Sequence, residues 1–187
     1  MKAIVISGSR NPQGQTAQAA GALLDGLRSA GADGEIVFLP AMNIERCRQC
    51  DQAGWGFCRQ EGRCVIEDDF AAVAGKLRDA DAAVFANPVY FSDLSESLRA
   101  FLDRLRRITR HDAGKDGITG KPAVGICVAG GGGGGAPAST VSLEKVLATC
   151  GFDVVDMVPA RRQNLQTKLE VLRVTGKWLA TGPVSQG

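Results

Sequence analysis

The stretch Ala-Ile-Val-Ile-Ser-Gly-Ser-Arg-Asn-Pro-Gln-Gly-Gln-Thr, residues 3–16, connects an apolar run to an Ala- and Leu-rich helical segment through a loop of glycines and hydroxyl groups. The run 3–6 is typical of a short buried strand. At the start of the following helix the first backbone N–H groups have no partner within the helix, and the helix dipole adds positive charge. The loop therefore predicts a binding site for an anion, and we expect a ligand that carries a phosphate.

Apolar runs alternate with amphipathic segments along the rest of the chain. The runs typical of buried parallel strands are 3–6, 35–39, 82–86, 123–128 and 153–158. The segments with helical spacing are 16–29, 69–79, 94–108, 138–149 and 164–180. Because parallel strands need long, right-handed crossovers, this alternation predicts an α/β fold with three layers, a doubly wound sheet of five parallel strands between helices. We expect the strand order 2-1-3-4-5.

The length, the charge and the first residues of the chain indicate its domain number, its partners and its location. A chain of 187 residues with 44% apolar residues fits a single domain, 1–187. The 22 basic and 20 acidic residues leave a net charge of +2, so we expect neither nucleic acid nor a membrane surface as a partner. A strand directly after Met1 leaves no room for a signal peptide, and no apolar run has the length of a membrane span. These features predict a cytoplasmic protein.

Two further loops are expected beside the phosphate loop. Asn87-Pro88-Val89-Tyr90-Phe91-Ser92 follows the third predicted strand, and a glycine run over 130–135 follows the fourth. Ligands of such sheets bind at the carboxyl ends of the strands, so the three loops would form one crevice. Its first loop would hold the phosphate, and the other two would contact a planar apolar group. Core packing of Tyr90 and Phe91, and a flexible glycine linker, are the alternatives.

A cysteine-rich insertion is predicted at about 42–66, between the second strand and the second helix. Its cysteines are Cys47, Cys50, Cys58 and Cys64. In a reducing compartment these thiols favour a metal site over disulfides, and zinc or an iron–sulfur cluster would suit them. Because His111 is the single histidine, a tetrahedral site here would be all-cysteine. A reversible dithiol pair and four reduced, packed thiols are the alternatives. Cys127 and Cys150 are expected to be buried and unreactive.

Charged residues near the predicted helices suggest local roles. Asp93-Leu94-Ser95-Glu96 resembles a capping box with Asp93 as the cap, and Asp68 with Asp69 resembles a helix start. The segment 106–120 has the composition of a mobile connection. Five basic residues near it are typical of a solvated helix face, and we assign them no role. They are Arg104, Arg106, Arg107, Arg110 and Lys115.

Two common enzyme classes do not fit the motifs of the chain. The one histidine lies in the polar connection and there is no Gly-x-Ser-x-Gly elbow, which argues against a serine hydrolase triad. The first loop lacks the Gly-Lys-Ser/Thr ending of a P-loop, so phosphoryl transfer is not expected.

The loops resemble those of the NADPH-dependent FMN reductases, a branch of the flavodoxin-like family. Their first loop reads Gly-Ser-x-Arg-x-x-Gly-x-Thr and their third-strand loop reads Pro-Val-Tyr. The first motif is matched by Gly8, Ser9, Gly14 and Thr16, and its arginine by Arg10, which stands one position earlier in the loop. The second is matched by Pro88, Val89 and Tyr90, and 101–104 resembles the following helix of the family.

The resemblance implies FMN as the cofactor and NAD(P)H as an electron donor. The residues that would hold the phosphate are Ser9, Arg10, Gly14, Gln15 and Thr16. Those that would line the isoalloxazine ring are Pro88, Val89, Tyr90, Phe91 and Ser92, with Ala129, Gly130, Gly131 and Gly132 from the other loop. Flavin would carry the chemistry, so no catalytic acid–base pair is required.

The cysteine insertion is similar to that of the iron–sulfur flavoproteins, relatives within the same family. Their insertion ends Gly-x-Cys before an Asp-Asp pair, as do Gly62, Cys64, Asp68 and Asp69 here. Their first three cysteines are close together, whereas 51–57 separates Cys50 from Cys58 in this chain.

These observations predict an FMN-dependent oxidoreductase, either an NAD(P)H-dependent FMN- or quinone-type reductase or an electron carrier like the iron–sulfur flavoproteins. It would pass electrons to a small-molecule or protein acceptor. The alternative is a non-catalytic redox-sensing or binding module with a zinc or thiol site. The resemblance also implies a homodimer or homotetramer, with Trp55, Phe57 and Phe91 apolar enough to lie at an interface.

Overall fold

Five strands form a parallel sheet in the computed structural model, which describes residues 1–182. The strands are β1 (Lys2–Ser7), β2 (Asp33–Phe38), β3 (Ala82–Pro88), β4 (Pro122–Ala129) and β5 (Asp153–Arg161). They lie side by side in the order β2-β1-β3-β4-β5, and every neighbouring pair is parallel. The predicted fold class and strand order are confirmed.

Helices cover both faces of the sheet. They are α1 (Gln15–Ser29), α2 (Phe57–Gln60), α3 (Phe70–Asp79), α4 (Glu96–Thr109), α5 (Ala136–Cys150) and α6 (Leu165–Ala180). Buried side chains of α1 and α6 form one core layer, and those of α3, α4 and α5 form the other. Where α1 meets α6, a Cβ on Gly26 would collide with the carbonyl of Arg173, so this glycine permits the close approach of the two helices.

Helix α4 begins two residues later than the sequence suggests. Its N-cap is Ser95, whose hydroxyl accepts a hydrogen bond from the Leu98 N–H at 3.4 Å. Asp93 is not the cap, because it closes a tight turn with Tyr90, as their mutual backbone hydrogen bonds show. The predicted capping box is therefore wrong in its cap residue, although it gave the position of the helix to within a turn.

The assignment of Arg104 to a solvated face is also wrong, since this side chain is only 1% exposed. The segment 106–120, expected to be a mobile connection, begins within α4, which continues to Thr109. Beyond the helix, Arg78 donates hydrogen bonds to the carbonyls of Gly114 and Gly62, at 3.3 and 3.4 Å, which hold the connection against the end of the cysteine insertion.

Candidate functional site

The carboxyl ends of β1, β3 and β4 surround a cavity of about 470 Å³. Its lining residues are Gln15, Thr16, Pro88, Val89, Tyr90, Phe91, Val128, Gly130 and Gly131. The three loops expected to converge therefore do converge. Sequence reasoning missed Val128, the last residue but one of β4, which is 2% exposed. Because strand positions alternate between the faces of a sheet, the side chain of a terminal strand residue could have been anticipated at this edge.

The first loop is folded by its own hydrogen bonds. The Ser9 hydroxyl donates to the Asn11 carbonyl at 3.2 Å, and the Gln13 N–H donates to the Asn11 side chain at 2.9 Å. Helix α1 then begins after Gly14 with no side-chain hydrogen bond at its cap. Its first-turn N–H groups thus lack a capping side chain, which is the arrangement that binds phosphate at helix N-termini.

Gln15 lines the cavity and carries a buried acceptor atom. Its Oε1 atom has no hydrogen-bond partner among the described residues, and it lies 3.3 Å from the position that a Cβ on Gly130 would take. A buried acceptor without a donor is costly in the free protein. This atom is therefore suited to accept a hydrogen bond from an N–H or O–H group of a ligand that fills the cavity.

The loop after β3, residues 87–92, holds an aromatic ring in solvent through a left-handed backbone conformation. Phe91 and Ser92 have φ values of +49° and +64°, in the left-handed region that non-glycine residues rarely adopt. The Phe91 side chain is fully exposed, at 105% of its reference area. Such strain persists where neighbouring contacts enforce it, and it is common at ligand sites.

Asn87 enforces the shape of this loop. Its buried side chain accepts a hydrogen bond from the Ser95 N–H at 2.9 Å and donates to the Ser139 hydroxyl at 3.0 Å. It also donates to the Asp93 carbonyl at 3.4 Å, so one amide links β3, the turn, α4 and α5. Sequence reasoning recognised the Asn-Pro step but not this role, which depends on residues distant in the chain.

At Gly135, the glycine run lies so close to the loop after β3 that a side chain would not fit between them. Gly135 has a φ of +81°, and a Cβ there would lie 2.6 Å from the Ser92 Cα. A Cβ on Gly131 or Gly132 would meet nothing within 4 Å, so their backbone forms an open wall. Backbone without side chains would let a flat ring come close.

The remaining residues predicted for this site lie around the cavity without lining it. They are Ser9, Arg10, Gly14, Ser92, Ala129 and Gly132. Arg10 instead lines a neighbouring cleft of about 800 Å³ between the first loop and α4. The two spaces share Tyr90 and Phe91, which form a wall between them.

The four cysteines of the insertion are not brought together as a metal site. Within residues 1–182 no group of three or more His, Cys, Asp or Glu side chains is arranged to hold a metal ion. Cys50 is exposed, whereas Cys58 and Cys64 are half-buried and pack against the core. The thiols of Cys47, Cys50, Cys58 and Cys64 are therefore not gathered into the expected four-thiolate centre in the described part of the chain.

Contacts with α4 hold the insertion at its base, where the chain enters and leaves it, and at its tip. At its base, Arg104 of α4 donates to the Glu45 carbonyl at 3.0 Å and to the Ile66 carbonyl at 3.4 Å, and it pairs with Asp68. At its tip, the Arg107 guanidinium donates to the Gly54 carbonyl and lies 4.8 Å from the Trp55 ring centroid. The indole also packs edge-on against His111, with ring centroids 5.1 Å apart. These contacts tie the tip of the insertion to α4 and to the connection that follows it.

The other two cysteines are buried, as expected. Cys127 and Cys150 are both fully shielded from solvent. Burial raises the pKa of the Cys127 thiol, and it raises the pKa of Cys150 to about 12. Both groups are therefore neutral thiols at physiological pH.

Among the described helices, none combines the length and apolar character needed to cross a bilayer.

The sequence and the fold match known flavoproteins. The family profile described as NADPH-dependent FMN reductase matches residues 1–164. An iron–sulfur flavoprotein of Methanocaldococcus jannaschii is 31% identical over 70% of this chain and 65% of its own length. An iron–sulfur flavoprotein of Methanosarcina thermophila is 33% identical over 56% of this chain and 52% of its own length. The chain thus spans between about half and two thirds of the length of these curated relatives.

Solved structures share the fold at low sequence identity. The NAD(P)H:quinone oxidoreductase of Methanothermobacter marburgensis superposes with a TM-score of 0.69 over 96% of each chain, at 22% identity. A profile match over residues 1–164, together with the parallel sheet and the loops at its edge, identifies the group: the chain belongs to the NADPH-dependent FMN reductase family.

Proposed function

We propose that the protein is an FMN-dependent oxidoreductase that binds its flavin in the 470 Å³ cavity. The observation that carries this proposal is the buried, unpartnered Oε1 atom of Gln15, which faces a glycine wall on one side of an aromatic-lined space. A flavin offers both a flat ring and the N–H and O–H donors that this acceptor lacks. Family membership supports the same cofactor.

The residues around the cavity suggest how FMN would be held. Its phosphate would lie at the uncapped N-terminus of α1, against the first-turn N–H groups and Thr16. Its ring would lie between Tyr90 and the glycine wall, with Pro88 and Val128 beneath it. Bound there, the flavin supplies the electron transfer chemistry. The residues of the chain orient the ring and exclude water from one of its faces.

The lining supports flavin chemistry over acid–base catalysis. Tyr90 is the one ionisable side chain among the residues that line the cavity. General acid–base work requires a group that titrates near the working pH, within reach of the substrate. We therefore assign no catalytic residue.

The donor and acceptor follow from the family by analogy. NAD(P)H is the proposed donor, and a small molecule or protein is the proposed acceptor. We also propose that the protein is a cytoplasmic homodimer or homotetramer. We include no iron–sulfur cluster in this proposal, because within residues 1–182 the four thiols of the insertion are not grouped as cluster ligands, although the relatives carry that name.

Anaerobic reduction of the FMN-loaded protein tests the proposal. We expect NADPH or NADH to bleach the visible flavin absorbance, and a small acceptor such as a quinone to restore it. Protein that binds FMN but is reduced by neither nucleotide would contradict the proposed donor. Protein that does not bind FMN would contradict the function itself.

A further inference from the structure

The second cleft is a separate space on the far side of the Tyr90–Phe91 wall. It has a volume of about 800 Å³, within the range of small-molecule sites. Its apolar lining residues are Pro40, Ile44, Leu94 and Ala100. Ile44 comes from the start of the insertion, and Leu94 and Ala100 come from the start of α4 and the turn before it. These four residues do not line the flavin cavity, whereas Tyr90 and Phe91 line both spaces.

Two charges of opposite sign lie in this cleft. Arg10 and Glu96 both line it, and both are exposed. Neither forms an ion pair with any residue in the part of the chain that the structure describes. A guanidinium is planar and weakly hydrated, and it recognises carboxylate or sulfonate groups through paired hydrogen bonds. The glutamate opposes further negative charge, which favours a ligand with one anionic end.

The exposed ring of Phe91 adds an aromatic surface. Its backbone strain holds the ring at the rim shared by both spaces, where nothing in residues 1–182 covers it. An exposed aromatic ring gains most from contact with another flat apolar group, by stacking or edge-on packing. Together with Ile44 and Leu94, it gives the cleft an apolar body with a single cationic end.

We infer that the second cleft binds a planar aromatic monoanion, with its charged group at Arg10 and its ring against Phe91. This inference rests on the proposed function, because FMN would then occupy the other side of the same wall. Such a molecule is the class of ligand that could receive electrons from the flavin. The inference also assigns Arg10 to this ligand, whereas the family resemblance alone assigns it to the FMN phosphate.

The position of Arg10 supports this assignment. It lines the cleft and is absent from the lining of the cavity, where Gln15 and Thr16 represent the same loop and helix. Helix α1 already offers uncapped N–H groups to a phosphate without Arg10. In the cleft, by contrast, Arg10 is the only cation in the lining.

Titration calorimetry on the FMN-loaded protein tests the inference with naphthalenesulfonate, a redox-inert planar monoanion. We expect saturable binding that does not displace FMN, and weaker binding of the uncharged naphthalenesulfonamide. Arg10→Gln should weaken sulfonate binding by about tenfold or more. Glu96→Gln should strengthen it by about two- to threefold. Ala100→Leu should weaken binding of both compounds, because the added atoms fill the cleft.

Parallel FMN titrations of the same variants separate the possible failures. Displacement of FMN by the sulfonate would overturn the inference, because the probe would then occupy the flavin cavity. Unchanged sulfonate affinity in Ala100→Leu would show that the sulfonate does not bind in the second cleft. If Arg10→Gln loses FMN affinity but retains sulfonate affinity, Arg10 binds the FMN phosphate and the inference is wrong. If FMN does not bind the parent protein at all, it is the proposed function that fails, whatever the sulfonate does.

Discussion

Arg104 and Asp68 form a two-pronged ion pair that is almost completely buried. The guanidinium donates to the two carboxylate oxygens at 2.6 and 2.9 Å, and the side chains are 1% and 0% exposed. The guanidinium also lies over the Phe70 ring, 4.1 Å from its centroid. Because Arg104 also holds Glu45 and Ile66, this pair joins α4 to both ends of the cysteine insertion.

Removal of one partner should destabilise the protein strongly. We predict that Arg104→Met lowers the free energy of unfolding by about 3–5 kcal/mol, because it leaves a buried carboxylate without its cation. Urea denaturation measures this change. The control is Arg106→Met, on the same helix, which breaks the more exposed pair with Asp103 and should cost about 1 kcal/mol or less. Equal losses in the two variants would contradict the importance of the buried pair.

The same pair should make stability depend on acid pH. Although burial by itself would raise it, the pKa of Asp68 is lowered by hydrogen bonds from Arg104 and from the N–H groups of Glu45 and Phe70. A lowered pKa in the folded state means that the stabilisation is complete above the ordinary carboxyl pKa of about 4 and is lost as the pH falls below it.

We therefore predict that the difference in unfolding free energy between wild type and Asp68→Asn shrinks as the pH falls through this acid range. Chemical denaturation at a series of pH values measures it. A difference that stays constant from neutral to acid pH would show that the carboxylate charge does not stabilise the fold.

Gly135→Ala should disturb the loop that faces the cavity. The new Cβ would meet Ser92 in a backbone conformation with a φ of +81°. We predict a loss of about 1–3 kcal/mol in unfolding free energy, together with weaker FMN binding. Gly134→Ala is the matched control, since a Cβ there meets nothing within 4 Å and its φ is ordinary. If the two substitutions act alike, close approach of the two loops is not the cause.

Gln15→Leu should change stability and affinity in opposite directions. Without FMN, removal of a buried, unpartnered acceptor should stabilise the protein or leave its stability unchanged. FMN affinity should fall by about tenfold, because a hydrogen bond to the ligand is lost. Thermal unfolding of the apoprotein and fluorescence titration with FMN measure the two effects. Gln166→Leu, at an exposed position near the start of α6 that lines neither space, is the control and should leave FMN affinity unchanged.

Thiol labelling should reveal how the cysteines are arranged. We predict that a disulfide reagent modifies the exposed Cys50 first in the native protein, and that Cys127 and Cys150 react only after unfolding. Mass spectrometry after graded labelling identifies the order. Joint protection of Cys47, Cys50, Cys58 and Cys64, released together by a chelator, would instead mean that the four thiols gather around a metal.

Local patterns were sufficient to predict the sheet and the cavity edge. Buried apolar runs and helical spacing are properties of neighbouring residues, so the strands followed from them. The strand order 2-1-3-4-5 was expected because it is a common order of doubly wound sheets, and it is confirmed. The three loops followed from the geometry of parallel sheets, which brings Thr16, Tyr90 and Gly130 to one edge.

Features that depend on distant partners could not be predicted in the same way. Arg104 is buried because Asp68, far away in the chain, neutralises it, and nothing in the α4 pattern indicates that partner. Phe91 is apolar yet exposed, because the Tyr90–Asp93 turn imposes a positive φ on it. Cysteine spacing suggested a metal centre, but it gave no indication that Trp55 at the tip of the insertion packs against Arg107 of α4.

Titration of the pure apoprotein with FMN, followed by quenching of flavin fluorescence, is the most direct test of the proposed cavity. We predict saturable binding with one FMN per chain, lost in Gly131→Leu, whose side chain would enter the open space beside the glycine wall, and retained in Gly134→Leu. No saturable quenching, or equal binding by these two variants, would contradict a flavin site at the ends of β1, β3 and β4.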